Sequence, residues 1–278
     1  MADAAAIAAA VYDAVGSAAS ALRPDVRAAI AAAAESEPSE RGRLVLRQLL
    51  ENADIAAADR VALCQDTGSC RVRVEVGVSE RLSGDLREEI DAAVASAYRD
   101  FGLRMSMVRD ALIDRTNTGD NTPAILEFVL RERPGATVDV MLKGGGSDNA
   151  SALAMLPPSA GFEGVRRFVL ETVETKATGA CPPLLVGVAV GGTFDTVAGL
   201  AKKALLRTIG SPAPAGAARY EAELLEAVNA TGIGPAGLGG ATTALAVHLV
   251  TAPCHIAALP VAVNLGCCAV RSATVEVS

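Results

Sequence analysis

Leu184-Leu185-Val186-Gly187-Val188-Ala189-Val190 is an unbroken apolar run. A strand with one wet face alternates apolar and polar residues, so this short run reads as a strand buried on both faces. Helices flank it. Gly164–Lys176 is amphipathic and is closed by Gly179 and Pro182. Asp195–Arg207 carries Lys202, Lys203 and Arg207 near its C-terminal end, where the helix dipole favours cations. Further out, Thr243–Val250 and His255–Val263 read as strands bracketing a turn at Ala252-Pro253. Arg71–Val76 alternates and reads as a half-buried strand. Ala124–Leu130 and Thr137–Leu142, joined through Pro134-Gly135, read as a β-hairpin. Three helices open the chain: Ala4–Leu22, Pro24–Glu35 and Ser39–Asn52, the last with Ser39 as N-cap. Ser83 caps a helix to about Phe101, Tyr220–Val228 is helical, and Ala273–Val277 is a final edge strand. The expected fold is α/β (mixed α+β), a helical N-terminal region followed by a mixed sheet with surrounding helices. The linker Ser211–Gly216 is too short to mark a boundary, so residues 1–278 read as one domain.

Composition narrows the function. Hydrophobic residues make up 51%, which excludes disorder. The 25 Lys+Arg against 32 Asp+Glu give a net charge of −7; aromatics are 3% and Trp is absent. An acidic chain without stacking side chains is not expected to bind nucleic acid or an anionic membrane. The start, Met1–Gly16, has Asp3 and no basic region, so it does not read as a secretory signal. No stretch of about 18 apolar residues is free of charge, His, Gly or Pro, so no membrane span is expected. The expected compartment is the cytoplasm, where Cys64, Cys70, Cys181, Cys254, Cys267 and Cys268 stay reduced.

Two glycine motifs look like sites and are not, and other strings stay open. Gly232-Ile233-Gly234-Pro235-Ala236-Gly237 matches a dinucleotide fingerprint, but a helix precedes it and Pro235 sits inside it. Gly234 to Gly239 has Walker spacing but is followed by Gly240 in place of the phosphate-binding lysine. Lys143-Gly144-Gly145-Gly146-Ser147 reads either as a flexible turn or as a backbone-amide cradle for a small anion. His248 and His255 lie in apolar strands, where a satisfied core histidine is the plain reading; zinc at His248, Cys254, His255 and Cys267-Cys268 lacks ligand spacing. Three cysteines sit differently. Cys64 opens a polar turn, Cys181 lies between Gly179-Ala180 and Pro182-Pro183, and Cys267 follows Asn264-Leu265-Gly266. Three thiolates are one short of the four that commonly hold an iron–sulfur cube, and the remaining iron is then open to a ligand. Spacing alone leaves this reading beside simple packing.

The strings in order carry more. They are Cys64-Gln65-Asp66-Thr67-Gly68, Asn117-Thr118-Gly119-Asp120-Asn121, Lys143-Gly144-Gly145-Gly146-Ser147, Cys181-Pro182-Pro183 and Gly191-Gly192-Thr193-Phe194-Asp195. Ala201-Lys202-Lys203-Ala204-Leu205, Gly237-Leu238-Gly239-Gly240 and His255-Ile256-Ala257-Ala258-Leu259-Pro260-Val261-Ala262-Val263-Asn264 follow. From about Leu44 to Arg271 the chain resembles the class I fumarase and L-tartrate dehydratase family, specifically its α subunit or N-terminal domain. The resemblance implies that fold, and a [4Fe–4S] cluster held by Cys64, Cys181 and Cys267, whose fourth iron takes the substrate's hydroxyl and carboxylate. It implies Arg104 as a substrate-carboxylate arginine, Gln65 and Gly145 as further substrate hydrogen-bonding groups, and Asp66 with His255 as the acid pair that protonates the departing hydroxyl.

The implied substrate is a small dicarboxylate, fumarate/L-malate first and tartrate second. The family's base lies in a second domain or a separate β chain. The sequence ends at Ser278, soon after the last motif, so the expectation is an α subunit completed by a β subunit in a hetero-oligomer such as α2β2. Position 268 is Cys where the family commonly has His, and Ser69-Cys70-Arg71-Val72-Arg73 is more polar than the pattern, which leaves the local strand geometry open. Competing readings are a non-catalytic iron–sulfur protein, with Cys268 as a fourth ligand, and a zinc-binding structural module.

Overall fold

The computed structural model describes residues 3–80 and 82–277; Met1 and Ser278, the ends named above, lie outside the described residues. The elements in chain order are α1 (Ala4–Ser20), α2 (Pro24–Ser36), α3 (Glu40–Asp59), β1 (Ser69–Gly77), α4 (Leu86–Asp100), β2 (Ile125–Arg131), β3 (Ala136–Lys143) and α5 (Gly145–Asn149). Then come β4 (Ala152–Leu156), α6 (Gly161–Lys176), β5 (Leu184–Gly192), α7 (Phe194–Ala204), α8 (Ala218–Ala230), β6 (Ala244–Cys254), β7 (Leu259–Gly266) and β8 (Ser272–Val277). The fold is the expected mixture of helices and mixed sheets. The chain forms two compact units: Met1–Arg23, Asn52–Gly145 and Arg271–Ser278 in the first, Pro24–Glu51 and Gly146–Val270 in the second.

In the first unit the sheet order is β2-β1-β3-β8, with β1 parallel to β2 and antiparallel to β3, and β3 antiparallel to β8. The expected β2–β3 hairpin does not form, because β1 lies between its two strands. The reason is in the faces of β1. Val72, Val74 and Val76 join Ile7, Val11, Val15, Ile90, Val94, Val138 and Val140 in the core under α1 and α4. Arg71, Arg73 and Glu75 turn the other way. Arg71 pairs with Glu127 of β2, and Arg73 with Glu75 and with Asp139 of β3. The polar stretch at 69–73 is thus a regular strand of a sheet with one charged face. Asp85, not Ser83, caps α4: its carboxylate accepts from the amides of Arg87 and Glu88.

The segment Ala4–Ser36 is long and apolar enough to cross a membrane, with mean hydropathy 1.5. It is two helices parted before Pro24, and the apolar face of α1 is spent on the first unit's core.

In the second unit the order is β4-β7-β5-β6, with β5 antiparallel to β7 and parallel to β6. β5 is the buried strand read from the sequence: α6 and α8 cover one face through Val165, Val169, Val173, Leu224 and Val228, and α7 covers the other through Val197 and Ala201. Two expectations change here. The strand β4 has no sequence signal of its own and forms by pairing with β7. The turn expected at Ala252-Pro253 lies at 255–258, so His255 leaves the strand and is exposed.

Candidate active site

In the first unit the motif strings converge on the loop Cys64–Gly68. Gly68 has φ +76, and a Cβ there would lie 2.4 Å from the carbonyl of Lys143, so only glycine fits the loop this close to the end of β3. Asp66 Oδ1 accepts from the amide of Gly68 at 3.1 Å, and Oδ2 accepts from the amide of Gly145 at 2.8 Å. The glycine-rich string is therefore no free turn: it opens α5, and its first helical amide is donated to Asp66. Cys64 Sγ donates to Gln65 Oε1 at 3.2 Å. Cys64 and Asp66 are half-buried, and Gln65, Arg104 and Gly145 are exposed.

Arg104 is placed by its backbone. Thr67 Oγ1 donates to the Arg104 carbonyl at 2.5 Å. The Asn117–Asn121 string holds the next turn: Asn117 Nδ2 donates to Met105 O, and the amide of Ser106 donates to Asn121 Oδ1. Asn121 is fully buried and its Nδ2 donates to Gly68 O at 3.1 Å. Tyr98, also fully buried, sets its hydroxyl 3.1 Å from Thr67 O and 2.9 Å from Gly68 O. Burial above all pushes the Tyr98 phenol up, so it acts as a neutral donor. Tyr98 and Asn121 were not legible as loop-holding residues. A lone aromatic or amide carries no spacing signal.

Gly68→Ala is expected to lower the stability of the full chain by about 3 kcal/mol, read by thermal unfolding, because the loop must move off β3.

In the second unit, antiparallel pairing of β5 and β7 sets Leu185 opposite Gly266. The residue before the Pro182-Pro183 lead-in to β5 therefore meets the turn that leaves β7. The Cys268 amide donates to the Cys181 carbonyl at 3.2 Å, and Val270 N to Cys267 O at 3.1 Å. Cys181 is exposed in a left-handed conformation (φ 56, ψ 74); Cys267 and Cys268 are half-buried. All six cysteines are unbridged. Cys70 is sealed in the first core, where burial, with a smaller push from Asp91, raises its thiol to about 12. The loop cysteines, which are not sealed in a core, are sulfur donors of the kind an iron–sulfur cluster takes, and the buried Cys70 is not accessible as one.

His255 stands at the other end of β7. The Ala257 amide donates to its Nδ1 at 3.1 Å, which leaves the neutral ring's proton on Nε2. His248 is buried with Nδ1 3.0 Å from Ala204 O, a core histidine. Among the described residues no three His, Cys, Asp or Glu side chains of either unit gather to hold a metal by themselves, so the zinc grouping around His248 and His255 has no geometric support.

The family model described as "Fumarate hydratase (Fumerase)" matches residues 8–276. The chain is 42% identical over 258 residues to the putative L(+)-tartrate dehydratase subunit alpha of Methanocaldococcus jannaschii, covering 91% of this chain and 90% of the relative. It is 37% identical over 248 residues to the L(+)-tartrate dehydratase subunit alpha of Escherichia coli K12, covering 87% and 81%. With the motif loops built as described and the match running almost end to end, the chain belongs to the fumarate hydratase (Fumerase) family of hydro-lyases.

Proposed function

We propose that this chain is the α subunit of a cytoplasmic iron–sulfur hydro-lyase that adds or removes water on a C4 dicarboxylate. The observation that carries the reading is the family match across residues 8–276. The relatives named tartrate dehydratase subunit alpha favour tartrate as substrate, with fumarate/L-malate as the alternative, and a β subunit as partner. Cys64, Cys181 and Cys267 would hold a [4Fe–4S] cluster; once bound, it supplies a Lewis acid at the iron no cysteine ligates.

The chain's own residues would bind and orient the substrate and supply the acid, and the base that takes the carbon-bound proton would come from the β subunit. The Arg104 guanidinium pairs with one substrate carboxylate and fixes the carbon skeleton. Gln65 offers a hydrogen bond beside it. Gly145 orients Asp66, and its exposure leaves it within reach of substrate. Hydroxide is a poor leaving group, so the reaction needs a proton at the departing oxygen. His255 would deliver it from Nε2 as the imidazolium, whose second proton on Nδ1 requires the hydrogen bond from the Ala257 amide to Nδ1 to open, with Asp66 orienting the charged ring.

His255 lies beyond the start of β7 and Cys267 beyond its end, roughly 23 Å apart along the strand. One copy of the second unit cannot bring both to one substrate. We therefore assign the acid to His255 of a second copy, which requires at least two α chains, as in α2β2.

The test uses the α and β chains purified together without oxygen. Acid-labile sulfide and an EPR signal that shifts on adding tartrate or malate are expected; a colourless, sulfide-free complex refutes the reading. His255→Asn is expected to keep the sulfide and lose about 10²–10⁴-fold in kcat. Mixing His255→Asn and Cys181→Ser chains before assembly should restore about a quarter of wild-type activity, since half of the dimers formed at random carry one intact site. No recovery would place His255 and the cysteines in the same copy.

A further inference from the structure

We propose that the free edge of β2 docks a second copy of this chain, strand against strand, about a two-fold axis at Val129; this stands apart from the proposed reaction. β2 is an outer strand of the first unit's sheet. It holds Phe128 at 50% and Leu130 at 71% exposed. Soluble proteins blunt an open edge with proline, lysine, a bulge or a very short strand. Ile125–Arg131 has none of these, and all seven residues pair with β1 without a register break. The opposite edge, β8, presents no large exposed apolar side chain among the described residues.

The backbone shows which groups are free. Arg131 lies opposite Gly77, and its carbonyl accepts from the Val78 amide at 2.9 Å. The N–H and C=O of one strand residue point to the same side, and those of the next residue to the other. Glu127, Val129 and Arg131 therefore direct their backbone groups to β1. Leu126, Phe128 and Leu130 turn theirs outward, where no described residue bonds them.

Charge complementarity selects the occupant and the register. In an antiparallel pairing centred on Val129, Phe128 meets Leu130 of the second copy through two backbone hydrogen bonds, apolar against apolar. On the other face Glu127 meets Arg131 of the second copy, and the two-fold repeats the pair. Charges already alternate across this sheet, from Asp139 to Arg73 to Glu127. Arg131 of the second copy continues the series. Its own carboxylates, Glu276 and Glu75, stand at 3.7 and 4.0 Å. Moving the centre to Phe128 sets Glu127 against Val129, and moving it to Glu127 sets like charges face to face. The two four-stranded sheets become one continuous sheet.

The experiment uses Val129→Cys, in the α chain and in the co-purified αβ complex. Both are treated without oxygen with dibromobimane, which bridges two nearby thiols. The two copies of residue 129 form the pair without backbone hydrogen bonds, with Cα atoms about 4.5 Å apart. A peptide bridged through residue 129 of both copies is therefore expected by mass spectrometry, above the background that wild type gives from its native thiols. Leu130→Pro, added to Val129→Cys, removes only an outward N–H and leaves the β1 pairing whole. It should abolish the bridged peptide while circular dichroism is unchanged. Leu130→Lys, which puts a charge against Phe128 of the second copy, should do the same.

No bridged peptide in either sample overturns the proposal. So does a peptide that survives both Leu130 variants, which marks collision between free copies. Bridging through Phe128→Cys and none through Val129→Cys overturns the register. A residue-129 thiol that labels in the α chain but is shielded and unbridged in the complex gives the edge to the β subunit, and overturns the proposal too.

Discussion

Cys181→Ser is expected to remove the cluster outright: the co-purified α and β chains should lose their acid-labile sulfide and all measurable hydro-lyase turnover. A serine hydroxyl does not ionise at neutral pH and is a poor iron ligand, and two thiolates are too few to retain a cube. Cys64→Ser and Cys267→Ser should behave alike. Cys268 sits beside Cys267 and its amide holds the Cys181 carbonyl, so Cys268→Ser is the informative neighbour. Retained sulfide with near-normal turnover assigns the ligand to Cys267; lost sulfide moves it to Cys268. Cys70→Ser should keep full sulfide content, because that thiol is sealed in the first core. It should still cost about 1–2 kcal/mol of stability by burying a hydroxyl among aliphatic side chains. Sulfide retained in all three variants would end the assignment of Cys64, Cys181 and Cys267 as the cluster's ligands.

The second large effect concerns a residue with no motif. Glu37 is 2% exposed. Its carboxylate accepts from the amide of Ser39 at 3.1 Å, of Ala241 at 2.9 Å and of Thr242 at 2.8 Å. It thereby joins the turn before α3 to the loop containing Gly237-Leu238-Gly239-Gly240, and Gly240 has no room for a side chain against it. Glu37→Ala strands three backbone donors and should cost about 3–4 kcal/mol, measured by denaturant unfolding. The pH dependence has a defined sign. Burial alone would raise the Glu37 carboxyl, but the hydrogen bonds from Ala241, Thr242 and Ser39 outweigh it and hold it below its ordinary 4.5. A lowered native pKa means the unfolded chain binds the proton more readily. The stabilisation is complete above about pH 4.5 and is lost as pH falls through the native value. The stability gap between wild type and Glu37→Ala should therefore narrow on acidification below pH 4.5; a constant gap would show that the charge contributes nothing.

The second core was the most legible part of the fold. The apolar run at 184–190 announced a strand covered on both sides, and α6 and α7 cover it. Local signals failed where a strand's neighbour is chosen by distant sequence. Pro134-Gly135 looks like a hairpin turn, yet β1 enters between β2 and β3 because Arg71 and Arg73 need Glu127 and Asp139 on either side. Likewise β5 enters between β6 and β7. The His255 turn was misplaced because Pro253 is a strong local breaker that β6 tolerates near its end. Of the candidate site, the residue types and their loops were readable; the loop-holding Tyr98 and Asn121 and the buried Glu37 were not.

The order and chemistry of the motif loops, the buried character of β5, and the family itself were determined by sequence alone, since they depend on residue identity and local periodicity. Tertiary structure alone decided that the Gly145 amide serves Asp66, that Cys181 meets the turn after β7, and that His255 lies a strand's length from that turn. Those are distances between residues far apart in the chain, set by strand pairing and burial, and no local pattern encodes them.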